Sequence, residues 1–320
     1  MRTPSHAVLS TTVPLMRRAG PRGFVNAVLR RMTGWSEEGL PLHVRWSHPR
    51  DLVQRWIDRY GKNRTEDLLA WDNSVPDIGG YVAGSESGEG GPGRFMGCYR
   101  YLNRRGALDM SDPGLSKAYV QDEASAVAGR GAALLPGGRV LEVGAAPGGK
   151  TAHLQRWSPT LVCMDVSFDR MGPWRDNAGR LGWRGCVPVV GEGESPPFGR
   201  PFDKVVLDVP CTATGVYRRR PRARWRWNPG ALESMTALQR DLLRGAVDLV
   251  KIGGYMVYIT CSLEPEENLE QVEWFERSFP RFSRAAFPAP GQLVEDGLLD
   301  IFPPEHGIDG LFAACWVRNE

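Results

Sequence analysis

The stretch VLEVGAAPGGKT, residues 140–151, decides how the rest of the chain is interpreted. Its first four residues have the apolar, partly β-branched character of a buried strand. The small residues that follow allow a tight turn, and a helix is predicted directly after them. A strand, a glycine loop and a helix in this order are typical of the ligand-binding units of α/β proteins.

The glycine loop is compatible with two kinds of ligand. Residues 144–151 satisfy the pattern G-x-x-x-x-G-K-[ST] of phosphate-binding loops in NTPases, with Asp208 as the metal-holding acid of a later strand. The alternative is a nucleoside-cofactor loop of the form acidic-x-G-x-x-x-G that starts at Glu142. Asp165 favours this alternative, because an acid at the end of the next strand can bind ribose hydroxyls. A third possibility is a tight turn that binds no ligand.

Short apolar segments alternate with helical ones from about residue 116 onward, which predicts an α/β fold with a mostly parallel sheet. The predicted strands are 139–143, 161–165, 187–190, 204–208, 255–260 and 312–317. The predicted helices are 149–157, 167–181, 230–250 and 265–277. Gly172-Pro173 is expected to break or kink the second of these helices.

The part of the chain before residue 116 has a different character. Periodic apolar residues predict helices over 21–32 and 49–60. Residues 73–115 are irregular, and the glycine-rich stretch 84–93 predicts a surface loop.

The whole chain has the composition of an ordinary globular protein. Of its 320 residues 42% are hydrophobic and 24% are charged, and its apolar runs are too short to cross a bilayer. The six cysteines form no C-x-x-C pair and no metal-ligand spacing with the five histidines. We therefore expect a cytoplasmic monomer with neither a metal nor a membrane partner.

Charge is distributed unevenly along the chain, although the net charge is only +3. Residues 1–64 carry 12 Lys or Arg and 4 Asp or Glu, a difference of +8. Residues 264–320 carry 4 and 12, a difference of −8. The basic part favours a polyanionic partner such as nucleic acid, although a solvated surface would give the same counts.

Two cysteines follow the ends of predicted strands. Cys211 lies in DVPCTATG, residues 208–215, and Cys261 lies in TCSLEPEEN, residues 260–268. Open α/β sheets place their active sites at the carboxyl ends of strands. The plainer interpretation of a cysteine, a small buried hydrophobic residue, is the one we apply to Cys163, Cys186 and Cys315.

These motifs together resemble the Sun (RsmB) family of RNA cytosine-5 methyltransferases. The resemblance rests on AAPGGKT, on DVPCTATGV with the arginines behind it, and on TCSLEPEEN. It extends to residues 119–125, YVQDEAS, and 306–312, HGIDGLF. Residues 23–31, GFVNAVLRR, resemble the last helix of the NusB-like domain of the bacterial 16S ribosomal RNA enzymes, so that the resemblance covers nearly the whole chain.

The resemblance implies a fold and an activity. The fold is a Rossmann-like class I methyltransferase with a seven-stranded sheet, whose last strand runs antiparallel beside the strand ending near Thr260. It is preceded by a small helical region. The activity is transfer of a methyl group from S-adenosylmethionine to carbon 5 of a cytosine in RNA, with 16S ribosomal RNA as the expected substrate. The rival functions are a P-loop NTPase and a non-catalytic RNA-binding protein that retains the fold.

The family chemistry explains why two thiols are needed. Carbon 5 of cytosine becomes nucleophilic only when a thiolate adds to carbon 6. The resemblance makes Cys261 the nucleophile and Cys211 the residue that assists product release, whereas DNA cytosine methyltransferases use the cysteine of the PC motif as nucleophile. Asp208 then hydrogen-bonds the cytosine edge around ring nitrogen 3, and Lys150 lowers a thiol pKa or orients the base.

The resemblance also implies which residues bind the cofactor. These are Gly144, Ala145, Ala146, Pro147, Gly148, Gly149, Lys150, Asp165, Glu192 and Asp208. Two of them depart from the family pattern: Gly144 stands where the family has cysteine, and Glu192 stands where it tends to have an aspartate near the adenine.

Six arginines in the nine positions 218–226, interleaved with tryptophans, give the strongest polyanion signal in the chain. Guanidinium groups bind phosphates, and indoles stack on unpaired bases. The alternative is a solvated loop whose tryptophans pack on the domain. We predict that the RNA-binding residues are Arg218, Arg219, Arg220, Arg222, Arg224 and Trp225.

Three regions are therefore expected along the chain. Residues 1–35 are a remnant of the NusB-like helical domain, 36–115 a helical and irregular RNA-docking segment, and 116–320 the S-adenosylmethionine-dependent methyltransferase domain. Residues 78–81, Ile-Gly-Gly-Tyr, replace the Arg-Val-Asn signature that the family carries in the docking segment.

Overall fold

The structure is a computed structural model that describes residues 5–15, 21–32, 38–82, 91–103 and 117–320. Short helices form its N-terminal part. The chain divides into two compact units, Met1–Ser47 and His48–Glu320. The helices of the first unit are α1 (Ser5–Thr12), α2 (Arg22–Met32) and α3 (Leu42–Arg45). Helix α2 confirms the helix predicted over 21–32.

The second unit begins with two helices and a small antiparallel sheet. The helices are α4 (Arg50–Tyr60) and α5 (Lys62–Asp72). The strands are β1 (Ile78–Val82), β2 (Gly91–Pro92), β3 (Tyr99–Asn103) and β4 (Ala118–Val120), in the order β2-β3-β1-β4. Helix α4 confirms the prediction over 49–60 and buries Leu52, Val53 and Trp56. The glycine-rich stretch predicted as a loop lies mostly outside the described residues.

Five parallel strands form the centre of the main sheet. They are β5 (Arg139–Val143), β6 (Thr160–Asp165), β7 (Cys186–Val190), β8 (Phe202–Asp208) and β9 (Val250–Thr260). Their order across the sheet is β7-β6-β5-β8-β9. Successive residues such as Val140 and Leu141 enter two different hydrophobic clusters. Both faces of the sheet are therefore covered, as the near-continuous apolar runs predict.

The main sheet is completed by four strands near the C-terminus. They are β10 (Phe282–Ala285), β11 (Val294–Glu295), β12 (Leu298–Ile301) and β13 (Leu311–Arg318). Strand β13 runs antiparallel to β9 with Phe312 opposite Thr260, which confirms the predicted antiparallel last strand. Over the described residues the sheet has nine strands rather than seven, because residues 282–301 pair as three short strands.

Six further helices accompany the main sheet within the described part of the chain. They are α6 (Glu123–Leu134), α7 (Thr151–Leu154), α8 (Phe168–Leu181), α9 (Pro229–Ala246), α10 (Leu269–Ser278) and α11 (Pro303–His306). The expected break at Pro173 is wrong, since α8 runs through it without interruption. Met171 and Trp174 on either side of the proline are buried, and their packing offsets the hydrogen bond that the proline cannot donate.

Helix α6 was not predicted, and polar contacts fix both of its ends. Asp122 accepts a hydrogen bond from the Ala124 amide at 2.8 Å and so caps the first turn. The buried Lys204 ammonium donates to the carbonyls of Ala132 and Leu135, each at 2.7 Å, at the other end. These contacts hold α6 against strand β8.

The predicted boundary at residue 115 is not a boundary between compact units. Strand β4 pairs with β1, so the segments on both sides of residue 115 share one sheet. The division into a NusB-like remnant, an RNA-docking segment and a methyltransferase domain stays a prediction about role.

Candidate active site

The glycine loop lies at the carboxyl end of β5, between strands β6 and β8. The amides of Gly144 and Ala145 donate to the Met164 carbonyl at 2.9 and 3.0 Å. Gly144 has a φ of +78°, and a Cβ atom there would lie 2.2 Å from the Asp208 carbonyl oxygen. Only glycine fits such a conformation and such a close approach. The loop is therefore fixed to both neighbouring strands.

The hydroxyl group that a phosphate-binding loop would present to magnesium is buried. Thr151 Oγ1 donates to Glu142 Oε2 at 2.5 Å and accepts from Trp174 Nε1 at 3.0 Å. Burial raises the pKa of Glu142 to about 8, against the opposing effect of the Thr151 hydrogen bond. With its hydroxyl bonded to Glu142 and Trp174, Thr151 does not present the magnesium ligand that a phosphate-binding loop requires.

Lys150 faces the opposite way, toward strand β8. Its ammonium lies 2.9 Å from Asp208 Oδ2 and 3.3 Å from Ser125 Oγ. Burial acts to lower the pKa of Lys150, but the Asp208 carboxylate together with Cys261 and Glu142 outweighs it, and the net shift is upward. Lys150 is therefore a charged group inside the site, and Ser125 is a partner that the sequence did not identify.

The two strand-end cysteines meet as predicted. The sulfur atoms of Cys211 and Cys261 are 3.1 Å apart. The hydrogen bond from Cys211 lowers the pKa of Cys261, and the positive charges of Arg220 and Lys150 act in the same direction. The same hydrogen bond, with burial, raises the pKa of Cys211 well above its usual range. Of the two sulfurs, Cys261 is therefore the one whose surroundings favour the thiolate.

A buried carboxylate behind the thiols was missed at the level of sequence. Glu267 accepts hydrogen bonds from the Thr212 amide at 2.9 Å and from Gln239 Nε2 at 3.0 Å. The hydroxyls of Thr212 and Ser262 also donate to it. Glu267 thereby joins the residue after Cys211 to the residue after Cys261.

One cavity of about 710 Å³ connects the glycine loop with the thiols. The predicted site residues that line it are Gly144, Ala146, Pro147, Gly149, Lys150, Asp165, Asp208, Cys211, Arg219, Arg220 and Cys261. Three other residues of the predicted cofactor site, Ala145, Gly148 and Glu192, are not part of this lining among the described residues. Glu192 and Glu194 are both exposed, and the lining includes Glu194 and the two glycines that flank Glu192, so a cofactor contact by Glu192 stays a prediction.

Asp165 occupies the strand end where a ribose-binding acid was predicted. One of its carboxylate oxygens accepts from the Ala146 amide at 3.1 Å. The other accepts from the Arg170 guanidinium at 2.7 Å. The buried carboxylate is thus held at the edge of the cavity by the glycine loop on one side and an exposed arginine on the other.

Three arginines of the predicted RNA-binding run are bound to protein instead. Arg219 forms ion pairs of 2.7 Å with both Asp122 and Asp309. The Arg218 guanidinium lies 4.2 Å from the Trp71 ring centroid and donates to a backbone carbonyl at 2.7 Å.

Arg224 is the most deeply buried of the three, with 3% of its surface exposed. It donates to Asn73 Oδ1 at 2.9 Å and to the Asp72 carbonyl at 3.1 Å. Partners distant in sequence hold Arg218, Arg219 and Arg224, so RNA contact by these three stays a prediction, as it does for the other three.

The other predicted RNA-binding residues are exposed. They are Arg220, Arg222 and Trp225, and the Trp225 side chain is 62% exposed. Arg220 also lines the cavity that contains the thiols, so the exposed residues of the run extend outward from that cavity.

The described part of the chain contains neither a candidate metal site nor a candidate membrane-spanning helix. Its His, Cys, Asp and Glu residues form no group of three that could hold a metal. None of its helices combines the length and the apolar character that spanning a bilayer requires.

Comparisons of sequence agree with the resemblance drawn from the motifs. A family model described as 16S rRNA methyltransferase RsmB/F matches residues 133–317. The ribosomal RNA small subunit methyltransferase B of Pectobacterium carotovorum is 31% identical over 99% of this chain and 79% of the relative. The protein of the same name from Sodalis glossinidius is 35% identical over 99% of this chain and 78% of the relative.

Comparisons of structure support the same fold. The crystal structure of PH0851 superposes with a TM-score of 0.80 at 27% identity and covers 98% of this chain and 75% of that one. NSun6 from Pyrococcus horikoshii, solved with SFG, has a TM-score of 0.69 at 19% identity over 85% and 98%, a likeness of fold alone. The fold is thus the predicted Rossmann-like methyltransferase fold. From the family match and the whole-chain relatives together, this chain belongs to the RsmB/F family of 16S rRNA methyltransferases and is an RNA methyltransferase.

Proposed function

We propose that the protein methylates carbon 5 of a cytosine in 16S ribosomal RNA, with S-adenosylmethionine as methyl donor and a transient covalent bond to Cys261. The observation that carries the proposal is the single cavity that contains both the glycine loop and the thiol pair. A methyl donor at the loop and a base at the thiols would meet in the same space.

The residues around the loop fit a nucleoside cofactor. Gly144 brings the loop backbone close to the Asp208 carbonyl, and Gly144, Ala146 and Pro147 of the loop line the cavity. Asp165, buried at the strand end, offers a carboxylate for ribose hydroxyls, as in other nucleoside sites of this architecture. The cofactor supplies an electrophilic methyl group on a sulfonium.

The thiol pair supplies the nucleophilic chemistry. The Cys261 thiolate forms a bond to carbon 6 of the base, and this makes carbon 5 nucleophilic. Once carbon 5 carries the methyl group, a base takes the proton from carbon 5, the electron pair of that C–H bond reforms the C5–C6 double bond, and the C6–S bond breaks to return the Cys261 thiolate. Cys211, 3.1 Å from the attacking sulfur, is close enough to assist this release.

Lys150 and Asp208 form the polar wall beside the thiols. Their ion pair of 2.9 Å fixes the carboxylate at the end of β8, where it can hydrogen-bond the cytosine edge around ring nitrogen 3. The positive charge of Lys150 favours the Cys261 thiolate. Both residues thus act on the base and on the nucleophile together.

RNA binding is assigned to the exposed part of the arginine run, namely Arg220, Arg222 and Trp225. Guanidinium groups there can contact phosphates, and the exposed indole can stack on an unpaired base. The 16S substrate is supported by the description of the family and by the names of the bacterial relatives.

The test is bisulfite sequencing of ribosomal RNA from cells with and without the protein, followed by methylation of the affected RNA with purified enzyme. We expect one 16S cytosine to lose its methyl group in the deletion strain and to regain it in vitro. Unchanged 16S RNA together with loss of 5-methylcytosine from another RNA class would overturn the substrate. If the purified protein binds RNA and transfers no methyl group, it is the non-catalytic binding protein instead.

A further inference from the structure

The two thiols are equivalent in their position at strand ends, but their charged surroundings differ. Lys150 and Arg220 place positive charge near Cys261. Glu267 places negative charge near Cys211. A proton shared between the two sulfurs is therefore more stable on Cys211.

Glu267 is also tied to both cysteine loops by hydrogen bonds. Its Oε1 accepts from the Thr212 amide and from Gln239, and its Oε2 accepts from the hydroxyls of Thr212 and Ser262. Gln239 donates in addition to the carbonyl of Pro210, the residue before Cys211, at 2.9 Å. The segments on either side of the thiol pair thus converge on one carboxylate.

The hydrogen bonds counteract the cost of burying this carboxylate. Burial raises the pKa of Glu267, and the donors from Ser262, Thr212 and Gln239 oppose the shift. Four donors contact the oxygens of this carboxylate, and no salt bridge joins it to another described residue. Burying such a charge costs free energy, which the charge-assisted hydrogen bonds offset. The mechanism described above does not use it.

We propose that Glu267 is a positioning residue: it holds the two cysteine loops together and keeps the shared thiol proton on Cys211, so that Cys261 is the sulfur that attacks the base. This inference rests on the proposed function, because it concerns the choice of nucleophile in that reaction. The Glu267 carboxylate would then be the reason why Cys261, and not the similarly placed Cys211, is the attacking sulfur.

Other charged and titratable groups also act on the thiol pair or its neighbours. From the elements packed around the pair these are Lys150, Asp208, Arg220, Tyr217 and Tyr258. Asp208 acts against the Cys261 thiolate more strongly than either cation does singly in its favour, and Arg220 and Lys150 together oppose it. Glu267 differs from all of them because it alone is hydrogen-bonded to the residues that follow both cysteines.

The experiment measures thiol reactivity in the free protein, without RNA or cofactor. Iodoacetamide reacts with thiolates, so initial alkylation rates of Cys211 and Cys261, resolved by mass spectrometry across pH, report which sulfur is ionised. In the wild type we expect Cys261 to react first. In Glu267→Gln, which keeps the shape and removes the charge, the alkylation rate of Cys261 divided by that of Cys211 should fall about tenfold, the effect of one pKa unit.

The matched control is Glu266→Gln. It removes the same charge one residue away, from a carboxylate that pairs with Arg55. The control should keep the wild-type ratio. A ratio in Glu267→Gln equal to that of Glu266→Gln would overturn the proposal, because Glu267 would then have only a packing role.

A second variant covers the case in which Glu267→Gln does not fold. Glu267→Asp keeps the charge at this position, so Cys261 should remain the faster thiol. Cys211 reacting first in the wild type or in Glu267→Asp overturns the proposal without any other variant.

Methylation assays separate this proposal from the proposed function. If Cys261→Ala retains methylation, the assignment of the nucleophile is wrong, whatever the alkylation order. If Cys261→Ala is inactive but Glu267→Gln leaves the ratio of the two alkylation rates unchanged, the proposed reaction is retained and the proposed role of Glu267 is wrong.

Discussion

The strand-end residues of the cavity and the arginine run beside it differ in how far their chemistry follows from sequence. Cys211, Cys261 and Asp165 lie at the ends of parallel strands, and a sheet brings such ends together by construction. The arginines lie on a connection without a regular partner. Arg219 and Arg224 are bound to protein, whereas Arg222 is exposed. Backbone topology therefore fixes the place of strand-end residues, whereas the place of a long side chain in a connection depends on which partner residues lie within its reach.

The thiols offer the strongest test of the strand-end side of this comparison. Cys261→Ala should abolish methylation and leave no covalent RNA adduct. Cys211→Ala should still attack but release slowly, so that a protein–RNA complex accumulates on a denaturing gel. Cys98→Ala, a thiol outside the cavity lining, is the matched control and should behave as the wild type. An adduct trapped by Cys261→Ala instead would assign the nucleophile to the PC motif, as in the DNA enzymes.

Asp165→Ala tests the cofactor end of the same cavity. The loss of a charged acceptor for ribose hydroxyls should cost about 1.5–3 kcal/mol, so that the affinity for S-adenosylmethionine falls more than about tenfold. Calorimetry measures the affinity. The control is Asp169→Ala, which removes an exposed carboxylate from the start of helix α8. Equal affinity in the folded Asp165 variant and the control would contradict the cofactor assignment.

The arginine run can be divided by two sets of substitutions. Arg220→Ala with Arg222→Ala should weaken RNA binding and reduce the slope of log affinity against log salt by about 1.4, or about 0.7 for each lost phosphate contact on a single strand. The midpoint of unfolding should not change.

The buried member of the run gives the matched comparison. Arg224→Ala should lower the free energy of unfolding by about 1–3 kcal/mol, because it leaves buried acceptors without a donor. Its salt slope should stay that of the wild type. A salt slope that changes for Arg224 and not for the exposed pair would reverse the division made from the structure.

Glu142 concerns the support beneath the strand ends. Its folded pKa of about 8 lies above the ordinary value of 4.5. The folded state therefore binds the proton more tightly than the unfolded state, and stability should fall as the pH rises through this interval. Glu142→Gln should reduce the fall in urea-unfolding free energy between about pH 5.5 and pH 8. Glu270→Gln, at an exposed carboxylate, should not, and an equal fall in both variants would contradict the shifted titration.

Sequence was sufficient where the signal was local. The strand predictions and the glycine loop depended on runs of apolar and small residues, and the loop residue Gly144 lies where the pattern placed it. Helix α6 was missed because its alanine- and glycine-rich sequence has little apolar periodicity to distinguish it from a loop. The small sheet was missed because its strand β1 contains Gly79 and Gly80, which weaken a strand prediction.

The part that sequence could not supply consists of partners distant along the chain. Nothing near Arg219 indicates that Asp122 and Asp309 will bind it. Glu267 was visible inside a quoted motif, but its contact with Thr212 depends on two loops that are separated by a helix. Glu192 was assigned from a family position, and the structure adds Glu194 of the same turn to the cavity lining.

The ion pairs of Arg219 also have a consequence for the order in which the site is assembled. A chain is synthesised from its N-terminus, so Asp122 is already available when Arg219 is added. Asp309 follows only 90 residues later. Until Asp309 is added, the Arg219 guanidinium in the cavity wall has only one of its two carboxylate partners, Asp122. Contacts of such long sequence separation form late because the entropy of closing the loop precedes any gain. We therefore expect that a nascent chain can form strands β5 to β8 early but acquires a complete cavity only when its last strand is about to be added.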